Sequence, residues 1–423
     1  MPLEMSVVPT TSTEIHRRLG FWRHLGLGTY WLGQYFVITP VYTILLQVQV
    51  TQLVARPTQA TAIGVATGLG GLLALVVPPL VGARSDRFSS RWGRRRPIMA
   101  AGTAGTVLAL IVMRTSGGYP QLLVGFILVV AMVNLAGAAY VALIPDLVGK
   151  GRTGVASGLL GFFVQLGSVT SLLATLYFAN RGQILQTYWA IVIVVILALL
   201  PSLWAAAGEG TTPLPPRPRS TVREFLAPLW TGNFGWAVLV RFLAVASLYT
   251  TLPFLLLSFR DLFRVPNPTT FTPIFELIVT ATAIPIALVC GGLSDRFGRK
   301  PFVYAAGGLI ALALFGFLGG SAIPLGAVYG LGVLYGVGYG AFVSVDWALG
   351  IDTLPDKSTV AKDLGLYHVA DSLPRVLLPF GIGLFLDLVN HLESNAGYRA
   401  IAVIAALLSV ASALAVTRIR GVR

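Results

Sequence analysis

Six ionisable side chains stand inside long apolar runs: Arg241, Glu276, Asp346, His368, Asp371 and Arg375. A charge at the centre of a bilayer costs at least ~2.5 to 3.5 kcal/mol, so each must face a partner or a wet cavity, and function is the default reading. His368, Asp371 and Arg375, at i, i+3 and i+7, share one helix face. Counting ~1.5 Å per residue from the end of each run nearest the basic loops puts Arg241 ~15 Å deep, Asp371 ~12 Å, His368 ~8 Å and Asp346 ~6 to 9 Å. Arg375 and Glu276 lie deeper, at ~18 and ~25 Å by the same count. Arg241 can therefore meet Asp371 or Asp346. A carboxylate poised between a buried arginine and a water-filled cavity can be driven between charged and neutral forms, which is what proton coupling requires. The alternative is a static ion pair that fixes helix packing. Asp346 is shallow enough to be a helix-end contact and Glu276 to lie near the outer interface; Asp387, His391 and Glu393 are assigned to an outer loop.

The earlier runs offer neutral groups instead: Tyr30, Trp31 and Gln34 in the first, Asn134 and Tyr140 in the fourth, Gln165 in the fifth. Each amide can simply bridge two helices, for ~0.6 to 2 kcal/mol. Together, neutral amides and aromatics suit an uncharged polar substrate such as a sugar better than an ion.

A third set lies in a basic loop that occurs twice, GARSDRFSSRWGRRRP at 82–97 and GGLSDRFGRKP at 291–301. Asp86 and Asp295 are 209 positions apart, Gly93 and Gly298 are 205 apart, and the aspartates ending ALIPD and ALGID, Asp146 and Asp352, are 206 apart. Two matches in register argue for duplication, a known plan for secondary transporters. In each loop an aspartate faces basic residues just beyond it: Asp86 with Arg87, Arg94 and Arg95, and Asp295 with Arg296, Arg299 and Lys300. Gly82 and Gly291 would let the helix ends approach, so the loops, with Asp146 and Asp352, form a latch for one state of a rocking cycle. Topological anchoring alone explains the arginines but not the repeated Ser-Asp-Arg.

The elements that must position these groups are membrane helices. A chain of 423 residues that is 55% hydrophobic and 11% charged cannot bury that much apolar surface in a soluble core. Runs of about 20 residues, enough to cross ~30 Å of hydrocarbon, are read at 22–48, 59–83, 97–113, 120–145, 153–178, 186–206, 231–258, 271–293, 301–319, 323–350, 363–388 and 397–417. The expected fold is an all-α membrane protein of twelve spans in two pseudo-symmetric six-helix bundles, 1–206 and 224–423, joined by a Pro-rich linker at 207–223. Glycines four apart, Gly64/Gly68 and Gly154/Gly158, are expected to let the second and fifth helices pack closely on neighbours.

The net charge of +14 would suggest nucleic acid in a soluble protein. Here the arginines and lysines concentrate on alternate loops, which puts both termini and both repeat loops in the cytoplasm of an inner-membrane protein. The basicity is an orientation signal, and no nucleic-acid partner is expected. The first apolar run is too long for a signal peptide and is read as a retained helix. The lone Cys290 has no partner within the chain, the four histidines are scattered, and neither a catalytic set nor metal-ligand spacing appears. No enzyme, metal or cofactor is expected.

The loop pattern G-x-x-S-D-R followed by G-R-[RK]-[RP] resembles the signature of the major facilitator superfamily. The longer version, SDRFSSRWGRRRP, is similar to that of the sucrose/proton symporters and the wider glycoside, pentoside and hexuronide cation symporters, as are ALIPDLVGKGRTGVASG, VRFLAVASLYTTLPFLL, VDWALGIDTLP and AKDLGLYHVADSLP. The resemblance spans essentially the whole chain and implies the twelve-helix fold. It departs at Val130 and Val141, where sucrose symporters place an Asp and an Arg, while an Asn is retained as Asn134. Family coupling residues of the first half therefore do not carry over, and coupling would rest on Arg241, Asp346 and Asp371. The resulting expectation is proton-coupled symport of a neutral sugar or glycoside by alternating access. A drug/proton antiporter is the rival, although the fifth run lacks the proline of that group's G-x-x-x-G-P-x-x-G signature; a transporter-like sensor or lipid-handling protein is another. Substrate identity, direction and oligomeric state are not legible.

Overall fold

The computed structural model describes residues 20–85, 88, 90–147, 153–207, 209, 221–230, 232–355 and 360–421, without the side chains of 83, 144–147, 153–158, 222, 224, 360 and 361. Asp86, Arg87, the Asp146 side chain, the surroundings of Gly154 and Gly158, and most of the linker lie outside the described residues.

Among those described, twelve helices are long and apolar enough to cross a membrane. They are α1 (Phe21–Leu53), α2 (Arg56–Gly82), α3 (Arg96–Arg114), α4 (Tyr119–Leu143), α5 (Leu159–Ala179), α6 (Ile184–Ala205), α7 (Gly232–Asp261), α8 (Pro268–Phe297), α9 (Lys300–Ala322), α10 (Leu325–Asp352), α11 (Lys362–Leu392) and α12 (Ala396–Arg418). In the first bundle α1 packs on α5 and α6, α4 on α2 and α3, and α3 on α6; every one of these pairings recurs six helices later in the second bundle. The bundles meet through α2 against α11 and α5 against α8, pairs that the same pseudo-symmetry exchanges.

Lipid is as apolar as leucine, so close packing rather than water exclusion holds such helices together. Along α2 and α11 glycine supplies the closeness. A Cβ on Gly64 would lie 2.2 Å from the Pro379 carbonyl oxygen, one on Gly71 2.6 Å from that of Arg375, and one on Gly383 2.4 Å from that of Ala60. These contacts occupy the half of the interface away from the basic loops. Nearer the loops, a Cβ on Gly82 or Gly291 would meet nothing within 4 Å. The close contacts between the bundles thus gather at one face, called here the far face.

Two proline-related breaks shape the interface. After Pro40, α1 widens into a π-helical turn at Val41–Leu45, in which the Leu46 N–H donates to the Val41 carbonyl; proline removes a donor and clashes with the preceding turn, and the ladder slips. In α7 a 3₁₀ turn at Leu252–Phe254 carries Pro253. The Leu256 N–H beyond it donates to Gln47 Oε1 of α1 at 3.0 Å, so a side chain of one bundle serves the backbone of the other.

One expectation is corrected. Asp387 and His391 are helical, because α11 continues to Leu392. Asp387 then reaches across the interface, its carboxylate accepting the N–H groups of Ala60 at 3.3 Å and Thr61 at 2.6 Å, and so serves the otherwise unpartnered amides at the start of α2.

Candidate functional site

Arg241 of α7 is nearly surrounded. It is hydrogen-bonded to Asp346 of α10, and its Nη2 lies 3.6 Å from Asp371 of α11. The guanidinium also covers the rings of Trp347 at 4.8 Å and Tyr367 at 4.6 Å, a geometry that stabilises a desolvated cation. The Tyr367 hydroxyl lies 2.8 Å from Asp346 Oδ1 and 2.7 Å from the Asp346 carbonyl oxygen. Asp346 is 7% exposed, so it is a buried partner rather than a helix-end contact.

Asp371 is placed differently. One turn away on α11, Arg375 Nη2 donates to its Oδ2 at 2.7 Å, so Asp371 stands between two arginines. The Arg375 side chain is 42% exposed, against 7% for Arg241. Arg375 therefore faces the opening while Arg241 is sealed behind it. His368, one turn toward the basic face, is exposed.

Around Arg375 the two bundles contribute tyrosines. Its guanidinium lies 5.1 Å from the Tyr249 ring centre, and Tyr35 of α1 and Tyr339 of α10 are within electrostatic reach of Arg375 and Asp371. All three tyrosines are half-buried. Nothing in their spacing distinguished them in the sequence, since a tyrosine in an apolar run is commonplace.

The neutral candidates of the first bundle divide. Tyr30 and Tyr140 stack at 4.7 Å, Tyr140 donates to the Leu27 carbonyl at 2.8 Å, and Gln34 donates to the Tyr30 hydroxyl at 2.8 Å. All three are at most 2% exposed, so they pack the bundle and meet no solute in this state. Asn134 bonds the Val130 carbonyl of its own helix at 2.9 Å. Trp31, edge-on to Tyr140 at 5.5 Å, and Gln165 are half-buried.

Glu276 is not at the outer interface. It is 8% exposed, and its Oε2 lies 2.9 Å from Thr43 in the π-helical turn of α1. Above it the far face is locked by charges: Arg56 reaches Asp261 at 2.5 Å, Asp261 also takes Arg260 at 2.7 Å and the Tyr398 hydroxyl at 2.9 Å, and Arg260 donates to Gln59 at 2.8 Å.

At the basic face each loop is braced within its own bundle. Arg299 bridges Asp295 at 2.6 Å and Asp352 at 3.4 Å and donates to Ser294 at 2.5 Å, while Arg95 is bonded to Ser85. Gly93 and Gly298 take positive φ of 103° and 91°, a backbone that excludes most side chains. Arg94 is buried and Arg296 is exposed. Of the expected latch, Asp295 and Arg299 are paired within the second loop, whereas Asp86 and Arg87 of the first lie outside the described residues.

One residue that sequence reading passed over completes the first loop. Glu209, in the linker, accepts the backbone N–H groups of Arg95 at 3.1 Å and Arg96 at 3.0 Å, capping the start of α3. Burial pushes its carboxyl above the ordinary glutamate value, against the pull of those N–H groups and of the Arg96 and Arg95 charges.

Comparison with known proteins agrees with this architecture. A family model described as Major Facilitator Superfamily matches residues 24–379. A sucrose transport protein, SUC4 of Arabidopsis thaliana, is 32% identical over 118 residues, a stretch covering 24% of this chain and 23% of that one. The chain thus spans about a quarter of the length of that curated relative. The nucleoside transporter NupG superimposes with a TM-score of 0.70 at 15% identity, covering 95% of this chain and 100% of the other. A D-xylose-proton symporter does so with a TM-score of 0.68 at 17% identity, covering 93% and 95%.

Proposed function

The chain belongs to the Major Facilitator Superfamily of membrane transporters, and from that premise we propose that it carries a neutral sugar or glycoside together with protons by alternating access. The observation that supports this reading most directly is the placing of Asp371. It lies between the sealed Arg241 and the half-exposed Arg375, at the edge of an opening ringed by Tyr35, Tyr249 and Tyr339. Two arginines balance two carboxylates there, so a solute entering the ring meets no net charge. A hydroxyl-rich solute can accept hydrogen bonds from Arg375 and stack on the tyrosines. Drawing Arg375 toward a solute weakens its hold on Asp371, and a carboxylate that loses a cation binds a proton more readily. Solute and proton are thereby linked through one side chain.

In this reading the basic face is cytoplasmic, by the weight of arginine and lysine on its loops, and the state described here opens inward. The mutual approach of the Ser-Asp-Arg loops then belongs to the outward-open state. A nucleoside, neutral and aromatic, would suit the same tyrosines, and the likeness to a nucleoside transporter makes it the second solute class to test.

The deciding experiment is proton movement in proteoliposomes that enclose a pH dye, on adding mono- and disaccharides and then nucleosides. Solute-dependent proton entry that vanishes in Asp371→Asn is the expected result. Solute equilibration without proton movement would reduce the protein to a facilitator with a structural ion-pair cluster. Silence toward both classes would remove the neutral-solute reading.

A further inference from the structure

The contact between Thr43 and Glu276 contains a proton count that does not close with an ionised glutamate. Thr43 Oγ lies 2.9 Å from the Thr39 carbonyl oxygen and 2.9 Å from Glu276 Oε2. A hydroxyl has one proton to give. If Glu276 is a carboxylate, both neighbours are acceptors and one of these short contacts sets oxygen lone pairs against each other. With the carboxylic acid, Oε2–H donates to Thr43 Oγ and the threonine proton goes to Thr39. The remaining oxygen, Oε1, has no hydrogen-bond partner among the described residues, a position tolerable for a neutral carbonyl oxygen and far more costly for half of a buried charge.

The surroundings supply no countercharge. The elements packed on α8 are α5, α9, α10, the π-helical turn and the far end of α7. Their titratable groups include Tyr42, Tyr177, Tyr304, Tyr329, Tyr335, Tyr339, Asp346, Arg260 and Asp261, and among the described residues none is hydrogen-bonded or ion-paired to Glu276. Arg260 and Asp261 are committed to each other and to Gln59, Arg56 and Tyr398. The contact also joins the two bundles on the closed side, through a turn that proline has widened.

We propose that Glu276 is a second proton-binding site, separate from the arginine-paired carboxylates, and that it operates the far-face gate: the face closes with the proton on Glu276 and opens with its loss. On opening, α1 and α8 part and water reaches the carboxyl; the O–H bond breaks, the proton passes to that water, and the carboxylate is hydrated. Closing reverses the sequence. Opening then releases one proton, so the ratio of far-face-open to far-face-closed molecules rises with pH by up to about tenfold per unit. The inference holds whichever solute moves.

The test reads distance rather than transport. In the full chain in nanodiscs, with Cys290→Ala, nitroxide labels are placed at Asn180→Cys and Ser321→Cys, both exposed and on far-face turns of opposite bundles. Double electron–electron resonance follows their separation from acid to alkaline pH without solute. The expected result is a longer-distance population that grows as pH rises, its absence at every pH in Glu276→Gln, whose amide can still donate to Thr43, and its appearance already at acid pH in Thr43→Val. Distances that ignore pH, or a Glu276→Gln protein that titrates like its parent, overturn the proposal. Asp371→Asn is measured alongside: if it alone abolishes the pH response, the gating proton belongs to the arginine cluster and the Glu276 site is refuted, while the transport reading stands.

Discussion

Arg241 and Asp346 are partners of unequal importance, and removing them one at a time exposes the difference. Arg241→Gln leaves Asp346, 7% exposed, with the Tyr367 hydroxyl but no cation. Breaking a buried pair so that a charge is left uncompensated costs ~3 to 5 kcal/mol. Asp346→Asn leaves Arg241 with Asp371 at 3.6 Å and with the rings of Trp347 and Tyr367, and asparagine can still accept from Tyr367. Its cost is that of one charge-assisted hydrogen bond, ~1.5 to 3 kcal/mol, reduced where Asp371 closes the gap. The expected gap of ~2 kcal/mol is a factor of about 30 in the folding equilibrium. The double variant should be more stable than Arg241→Gln alone, because the stranded charge is gone. Reversible unfolding in mixed micelles, followed by tryptophan fluorescence, measures all three. Equal losses for the two single variants would mean that Asp371 does not share the arginine. Losses below ~1 kcal/mol for both would mean the cluster is hydrated, and the reasoning from burial would fail.

Gly64→Val places side-chain atoms where a Cβ already lies 2.2 Å from the Pro379 carbonyl oxygen; it should force α2 from α11 and, in a Cys290→Ala background, raise the labelling of a cysteine introduced at the buried far-face position Ala60 by a membrane-impermeant maleimide. Asp387→Ala removes the acceptor for the Ala60 and Thr61 amides, with an expected loss of ~1 kcal/mol of far-face closure, read as a roughly fivefold rise in the same labelling. Gly93→Ala combines a positive φ of 103° with a Cβ 2.0 Å from Glu209 Oε1. It should release Glu209 from the start of α3 and speed proteolysis of the linker, whereas Gly82→Ala, with open space around it in this state, should not.

Much of this site was visible in the sequence for one reason: a charge in an apolar run stands out whatever its neighbours. Arg241 and its two possible carboxylates followed from counting depth along three helices. Depth counting saw Glu276 but not Thr43, because the proline-widened turn that aims Thr43 at α8 leaves no periodic trace. Asp387 was read into a loop since an aspartate near the end of an apolar run usually marks the boundary; here the helix continues and the carboxylate serves another helix's amides. Glu209 was illegible because its partners are backbone N–H groups, which every residue but proline carries. The repeated Ser-Asp-Arg loops were plain as a motif, yet a motif does not say in which state its parts meet.

The two bundles share a packing plan but not a chemistry, and the difference fits a division of labour. In the first bundle α2 brings glycines to the interface and α1 brings hydroxyls and an amide: Gly64, Gly68 and Gly71 allow backbone contact, and Thr43 and Gln47 offer groups that pair equally well with a neutral acid or a free amide. In the second bundle α7, α8, α10 and α11 bring the charges. A surface of glycine, threonine and glutamine can close against its partner and leave it again without stranding an ion in the low-dielectric interior, which is the costly event for a moving interface. The ions that are present either pair within one bundle, as Arg241, Asp346, Asp371 and Arg375 do, or lie at the watery rim, as Arg56 does at 74% exposure beside Asp261. Glu276 is buried against the other bundle with no cation bonded to it among the described residues, and on the proposal above a proton is what lets it face the moving surface without a charge.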